Sequence, residues 1–509
     1  MKKIKYIITG MLLAGLGACS SFLDEVPDNR VEINDLDKAA ELTASAYSQG
    51  AYLFTEWMSD NADRVQGIGI EDVVDDAYRW QDGSTDGQDS PEYFWNQTYT
   101  AIAHANEVLA VIDNLPGNEE KRNAIRGEAL VTRAYHHFLL VSIFAKTYNS
   151  QTSASDLGIP YVTEPERELI KNYDRGTVAG VYEKISQDLE EGIPLIRDEF
   201  YKGTGKYHFT AAAAHAFASR FYLFMGDLAK SVQHANTVLG QDPSSMIRDY
   251  PKIIDDQQGG THLTQLYTSP DEPANLLLVY KHTVYLYQSR HGYGLSTPLF
   301  NDIFLGGGPT GGTDSRLELY FSLASGAGVR FPKYEYLFEK ENLASETGLP
   351  TTAQVELRGE EVVFNRMEAM SHITGITKDT VYLAVAVNDM NAFIAKRYKG
   401  AGKLAISDLW NTVIADEGFE PDYIPTAADT AKLNGEMANL MLGLTIGEKR
   451  KEFVQEGQRW WDVLRYGIPV SHNTAVSGEA PLVLAPDDPR RVVQIPKPAT
   501  ALGLPANPR

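Results

Sequence analysis

The sequence predicts a mostly α-helical protein, in which paired helices stack into a scaffold and a loop-rich lobe with short strands sits upon it. Three observations carry this. Apolar residues recur at helical spacing through most of residues 36–245. Small and aromatic residues flank a Gly226-Asp227 turn in the pattern of a helical repeat. From about residue 245 the texture changes to β-branched and aromatic alternation between Gly-rich loops.

The chain opens with Lys2, Lys3 and Lys5 before an apolar run from Ile7 to Ala18, the pattern of a secretory signal. That run is well short of the roughly 20 residues needed to span a bilayer. Leu16, Gly17 and Ala18 precede Cys19, the only cysteine of the chain, and together they resemble the bacterial lipobox. The resemblance implies that residues 1–18 are removed and that Cys19 becomes the acylated first residue. A lone cysteine elsewhere is more often a small buried hydrophobe. Several acyl chains, at about 0.8 kcal/mol per buried CH₂, anchor stably where one gives marginal binding. Residues 19–35 are polar, acidic and interrupted by Pro27, and read as a tether. Asp24, Glu25 and Asp28 resemble a surface-export signal of one bacterial phylum, although a solvated linker has the same composition.

Residues 36–245 form the helical-repeat region. A first helix begins near Lys38. Trp95, Ile102, Val108, Leu109 and Ile112 fall near one helical face, and Pro116-Gly117 ends that run. Ile125, Leu130, Ala134, Phe138 and Val141 resume it as the second arm of a hairpin. After a proline-bounded loop, Val178, Tyr182, Ile185 and Leu189 mark another helix. The stretch 211–243 then resembles a tetratricopeptide repeat. Ala218, Ser219 and Ser231 are small enough for close helix approach, Tyr222 fills the adjacent hole, and Pro243 ends the unit. Ala235 stands where that repeat prefers an aromatic.

Residues 246–430 are expected to be the loop-rich lobe, with a strand in the stretch 275–294 and one clear helix over 358–373. Its "LGGGPTGGTDSR" segment lacks the lysine of a phosphate loop. Residues 431–509 supply a C-terminal helix and a tail packing back on the scaffold. Within 445–467 a continuous helix would place Phe453, Gly457, Trp460, Trp461 and Leu464 in one stripe. The tryptophans then read as core. Glu456 with Arg459, and Arg459 with Asp462, have the spacing to pair along the flank. A mid-helix glycine costs about 1 kcal/mol relative to alanine, so Gly457 points to a close backbone neighbour.

The same segment, with Glu448, Arg450, Glu456, Gly457, Arg459, Trp460, Asp462, Arg465, Tyr466 and Gly467, resembles the closing signature of the SusD/RagB family of nutrient-binding outer-membrane lipoproteins. "GEALVTRAYHHFLLV", "DLGIPYVTEP", "RGEEVVFNRMEA" and "RRVVQIPKP" are similar to further family segments, in order along the chain. The resemblance implies one SusD-like body over residues 36–509. It implies a lipoprotein held at the outer membrane by Cys19, facing outside, that caps a SusC-type TonB-dependent transporter. The ligand would be an oligosaccharide or, in some members, a peptide, and no cofactor or metal is implied. Loops would bind it and the helical repeats would face the transporter. An anchor then keeps the lid beside its channel at high effective concentration.

Composition narrows the alternatives. The formal charge is −22, and about −25 once the three signal lysines are removed, which repels a phosphate backbone. An all-α glycoside hydrolase needs two carboxylates across a cleft. Asp75, Asp76, Glu190 and Glu191 are adjacent pairs of the kind found on solvated faces. His136 and His137 are adjacent too, without the i, i+4 spacing of two zinc ligands. A helical-repeat scaffold that binds no small molecule is the third possibility. Sugars present apolar faces to flat aromatics with polar neighbours. "DDAYRWQDGSTDGQDS" offers Tyr78, Arg79 and Trp80, and "YLYQSRHGYG" offers Tyr287, Arg290, His291 and Tyr293. Trp80 is the expected stacking platform, and Trp95, on an apolar helical face, is expected in the core.

Overall fold

The structure is a computed structural model that describes residues 33–168, 171–201, 203–255, 261–286, 291–323, 326–342, 346–418, 425–474 and 478–509. Cys19, Tyr287 and Arg290 lie outside the described residues.

The N-terminal half is built of helices whose ends are set by their capping residues. Asp35 caps α1 (Leu36–Ala44), accepting from the Asp37 and Lys38 amides. Two short helices follow, α2 (Phe54–Met58) and α3 (Asp72–Tyr78). Ser90 caps α4 (Pro91–Val111), with Pro91 in the first turn, where a missing N–H does no harm. Asn118 caps α5 (Glu119–Phe144), and Thr177 caps α6 (Val178–Gly192). The expected hairpin is α4 against α5, and α6 packs on α5. Gly127 and Gly192 let α5 and α6 touch, since a Cβ on Gly127 would lie 2.7 Å from the Gly192 carbonyl oxygen.

The repeat-like pair is α7 (Ala211–Met225) and α8 (Leu228–Leu239). Gly226 ends α7 in the left-handed conformation at φ +84°, and Asp227 caps α8. Ala218, Ser219 and Ser231 are buried, and the Ser231 hydroxyl donates to the Ser219 carbonyl at 2.9 Å. Small residues at the crossing thus do what the repeat pattern predicts.

Strands are short and few among the described residues. β1 (Asp63–Arg64) pairs antiparallel with β3 (Tyr293–Gly294). A three-stranded antiparallel sheet places β5 (Thr347–Arg358) between β2 (Asn275–His282) and β4 (Leu337–Asn342). β6 (Val470–His472) pairs with β7 (Leu482–Leu484). β5 runs straight into α9 (Gly359–Thr377), which packs on α8, α10 (Thr380–Ala395) and α11 (Ala427–Glu452).

The segment 445–467 is not one helix. α11 stops at Glu452 and α12 (Arg459–Arg465) starts afresh, with Gln455 and Gly457 between them at φ +66° and +82°. The buried Glu56 carboxylate of α2 holds the break, accepting the Gln455 amide at 2.6 Å and the Gly457 amide at 2.9 Å. The close approach at Gly457 is real, a Cβ there lying 2.6 Å from Thr55 Oγ1, but its setting is a left-handed turn. Trp460 and Trp461 are in the core as expected. The charged residues reach other partners than those expected. Glu456 binds Arg358 and Lys333, Arg459 binds Asp60, and Asp462 binds Lys449.

Candidate functional site

β1 pairs with β3, with Arg64 opposite Tyr293, and the stack of Tyr293 on Tyr78 brings the two expected ligand segments together. Tyr293 stacks on Tyr78 at 3.7 Å, Tyr78 on His472 at 4.0 Å, and His472 on Trp80 at 4.6 Å. Arg64 lies 5.8 Å over the Tyr293 ring and Arg490 lies 5.6 Å over the Trp80 ring. The result is a buried aromatic column capped by guanidinium groups. Two of its polar edges bond to main-chain carbonyls, while the buried Tyr293 hydroxyl has no hydrogen-bond partner among the described residues. Trp80 Nε1 donates to the Met58 carbonyl at 2.8 Å, and the Tyr78 hydroxyl donates to the Asn473 carbonyl at 2.7 Å.

Trp80 is therefore not an open platform. It is 3% exposed, at φ +53° just beyond the end of α3, with one face against His472. The expectation failed because the covering residues, His472 and Arg490, are remote in sequence. Tyr78 and Tyr293 are buried in the same column. Arg79 stays outside it, partly exposed, with Nε 2.9 Å from Asp75. His291 is buried edge-on to Trp57 and Tyr285, each 5.1 Å away, and burial pulls its pKa down to about 3. Asp89 fixes the adjoining loop by accepting from the Thr283 hydroxyl at 2.6 Å and the Val284 amide at 2.7 Å. Burial raises the Asp89 carboxyl to about 6.

Cavity size decides where a ligand fits. The space beside Trp80 is about 40 Å³. A second cleft, between α4, the stretches 160–168 and 171–173 and the turn at 499–504, is about 440 Å³. Only the second reaches the roughly 300–1,000 Å³ of ligand sites. Trp95, Tyr99 and Tyr173 give it aromatic walls, with Glu164, Glu166 and Lys171 among its polar lining. The Tyr99 hydroxyl donates to the Pro160 carbonyl at 2.9 Å. The Tyr173 hydroxyl donates to Glu166, and the Lys171 ammonium lies 5.5 Å over the Tyr173 ring.

The loop wall is held from beneath. Asn106 donates to the Val162 carbonyl at 3.0 Å, and His137 Nε2 accepts the Val162 amide at 3.0 Å. Tyr161 stacks on His137 at 3.8 Å and donates to Asp188, which also holds Arg133. Trp95 is mostly core, as expected, and contributes an edge to the cleft. Tyr99 and Tyr173 escaped the sequence reading, Tyr99 because it shares the core spacing of α4. Tyr173 carried a signal, an aromatic in a non-helical stretch beside Glu164, Glu166 and Glu168.

The carboxylates weighed for hydrolysis have local partners. Asp75 binds Arg79, Asp76 accepts from the Ser84 amide and hydroxyl, Glu190 binds Lys230 and Glu191 binds Arg126. His136 and His137 each bond back to the preceding helical turn. Among the described residues no group of three or more His, Cys, Asp or Glu side chains is placed to hold a metal ion, and no helix is long and apolar enough to cross a membrane.

Residues 21–223 match the SusD-like family described as starch-binding and associating with the outer membrane. The chain is 23% identical over 404 residues to SusD-like protein P2 of Formosa agariphila, covering 73% of this chain and 71% of that protein. Its fold is similar to that of a SusD superfamily protein from Bacteroides thetaiotaomicron, with a TM-score of 0.67 at 20% identity over 93% of this chain and all of that one. A laminarin-binding SusD-like protein is similar with a TM-score of 0.55 at 17% identity, over 93% of this chain and 98% of that one.

Proposed function

We propose that this chain is a SusD-like protein that captures an oligosaccharide in the cleft of α4 and passes it to a SusC-type TonB-dependent transporter. The observation that carries the reading is a cleft of about 440 Å³ walled by Trp95, Tyr99 and Tyr173 with polar groups at its rim. Aromatic faces take the C–H faces of sugar rings while carboxylate, hydroxyl and ammonium groups take their hydroxyls. The starch-binding description of the matched family and the laminarin-binding relative favour a glycan. No covalent step is assigned. Acylation at Cys19 would keep the protein at the outer-membrane surface, where delivery has its use.

A peptide ligand is the second reading. Glu164, Glu166 and Glu168 line the cleft against a single lysine, Lys171, which favours a cationic occupant. Calorimetry on the chain lacking residues 1–19, after glycan and peptide arrays, separates the two. Expected is binding of an oligosaccharide, without product, at micromolar affinity or weaker, about −8 kcal/mol. Tyr173→Ala is expected to weaken it at least tenfold with an unchanged melting temperature. Binding of basic peptides alone transfers the site to the second reading, and product formation reinstates the hydrolase. Unaltered affinity in Tyr173→Ala removes the cleft from the proposal.

A further inference from the structure

His472 is fully buried between the rings of Tyr78 and Trp80, and both of its ring nitrogens meet main-chain carbonyls. Nδ1 lies 2.8 Å from the Tyr78 oxygen and Nε2 lies 2.8 Å from the Ser59 oxygen. A carbonyl oxygen can only accept, so each contact calls for an N–H on the ring. Neutral imidazole has one N–H and imidazolium has two.

Two other buried histidines provide the contrast. His136 has its Nδ1 on the Thr132 carbonyl and accepts the Ser48 amide at Nε2. His137 repeats the arrangement with Arg133 and Val162. One acceptor and one donor fit a neutral ring, and two acceptors do not. The geometry points to His472 as a doubly protonated keystone at neutral pH, whose two N–H groups tie β6 to the ends of α2 and α3.

Every charged neighbour bears on this. The Asp63 and Asp60 carboxylates favour the second proton, as do the two carbonyls. Asp60 is shared with Arg459 and Arg450, and Asp63 accepts from Asn473. Arg490 and Arg64 lie over the two ends of the aromatic column, so one ring separates Arg490 from His472 and two separate Arg64 from it. The phenols of Tyr78 and Tyr293 are pushed up by burial and stay neutral. Burial is the largest single influence on His472 and acts in the opposite sense, drawing its pKa down. Losing the proton would relieve that penalty, but at another cost. It leaves a nitrogen lone pair facing a carbonyl oxygen at 2.8 Å, in a ring clamped between two aromatic faces. Those faces also attract the cation.

The keystone is independent of the ligand reading. It holds the stem of the 79–89 loop, so its proton sets how firmly that loop is seated. ¹⁵N labelling of histidine in the whole chain counts the protons directly. Ring-current shifts from Tyr78 and Trp80 set His472 apart from the other ten histidines, and His472→Gln confirms the assignment. Expected are two protonated nitrogens at pH 7, the two carbonyl contacts holding the titration midpoint above the ordinary value of about 6.5 against the net downward pull of burial. A raised folded-state pKa gives stability that is present below the unfolded value and lost as pH rises through the folded one. The wild-type melting temperature should therefore fall through that midpoint, and H472Q should lack the step. A bare ring nitrogen at pH 7 overturns the proposal whether or not H472Q folds, and so do superimposable pH profiles.

Discussion

At Trp80 the indole N–H is bonded to the Met58 carbonyl and the ring is stacked on His472, so truncation removes both and leaves a cavity. Trp80→Ala is expected to lower stability by about 3–5 kcal/mol, measured by urea unfolding, and Trp80→Phe by less. Full stability in Trp80→Ala would mean that the column is not packed as described. Gly457 makes a different demand. Its φ of +82° and the 2.6 Å approach of Thr55 Oγ1 leave no place for a Cβ, so Gly457→Ala should cost about 1–3 kcal/mol in the same assay. Both residues show where sequence is legible. Trp460 and Trp461 were readable as core because their packing follows from spacing within one short stretch. Trp80 was not, because the ring that covers it follows Tyr78 by 394 residues, and no local pattern encodes that meeting. Gly457 was half-readable. Its glycine identity announced a crowded backbone, while the left-handed turn depended on Glu56, far upstream.

Between elements, buried ion pairs replace the flank pairs that helical spacing suggests. Glu456 joins the α11–α12 turn to Arg358 at the end of β5 and to Lys333, and Glu452 of α11 joins Arg397 and Arg316. Glu368 of α9 holds Arg465 of α12. Burial opposes ionisation of all three carboxylates, but the facing cations win and hold each at about 2. A carboxyl whose folded pKa is depressed contributes stability above the unfolded value, near 4.5, and loses it as pH falls toward the folded one. Unfolding free energy is thus expected to drop between about pH 4.5 and 2, by about 1.4 kcal/mol per pH unit for each such carboxylate. Asp89, raised to about 6, works the other way and takes up its proton in the native state first. The steep loss therefore begins below pH 4.5. A urea midpoint that stays flat from pH 4.5 to 2.5 would contradict this pairing. Removing one partner is more severe, and Arg358→Met should cost about 3–5 kcal/mol by leaving Glu456 short of its charge partner. Helical spacing suggested only pairs along one flank, since pairing across separate segments has no period to read.

For the molecule as a whole, the helical scaffold was legible because caps, Gly-Pro punctuation and apolar periodicity are local. The α4 cleft was not, since its walls come from residues 95–103, 160–168, 171–173 and 499–504. What remains is where such a body works. A formal charge of −22 gives it no electrostatic attraction to an anionic membrane surface, and no helix among the described residues can cross a bilayer. Membrane residence would then rest on the acyl chains that the lipobox-like sequence assigns to Cys19, which lies outside the described residues. Acylation needs that thiol, and the chain has no second cysteine to replace it. Cys19→Ala is therefore expected to move the protein from the detergent phase to the aqueous phase in a temperature-induced detergent partition. Under the proposed lid role, the same substitution should lower recovery of a TonB-dependent β-barrel in mild-detergent capture from the native host, because it would abolish the high local concentration of lid and channel. Partition unchanged from the wild type removes the anchor. Lost partition with undiminished barrel recovery keeps the anchor and shows that the lid grips its transporter through protein contacts alone.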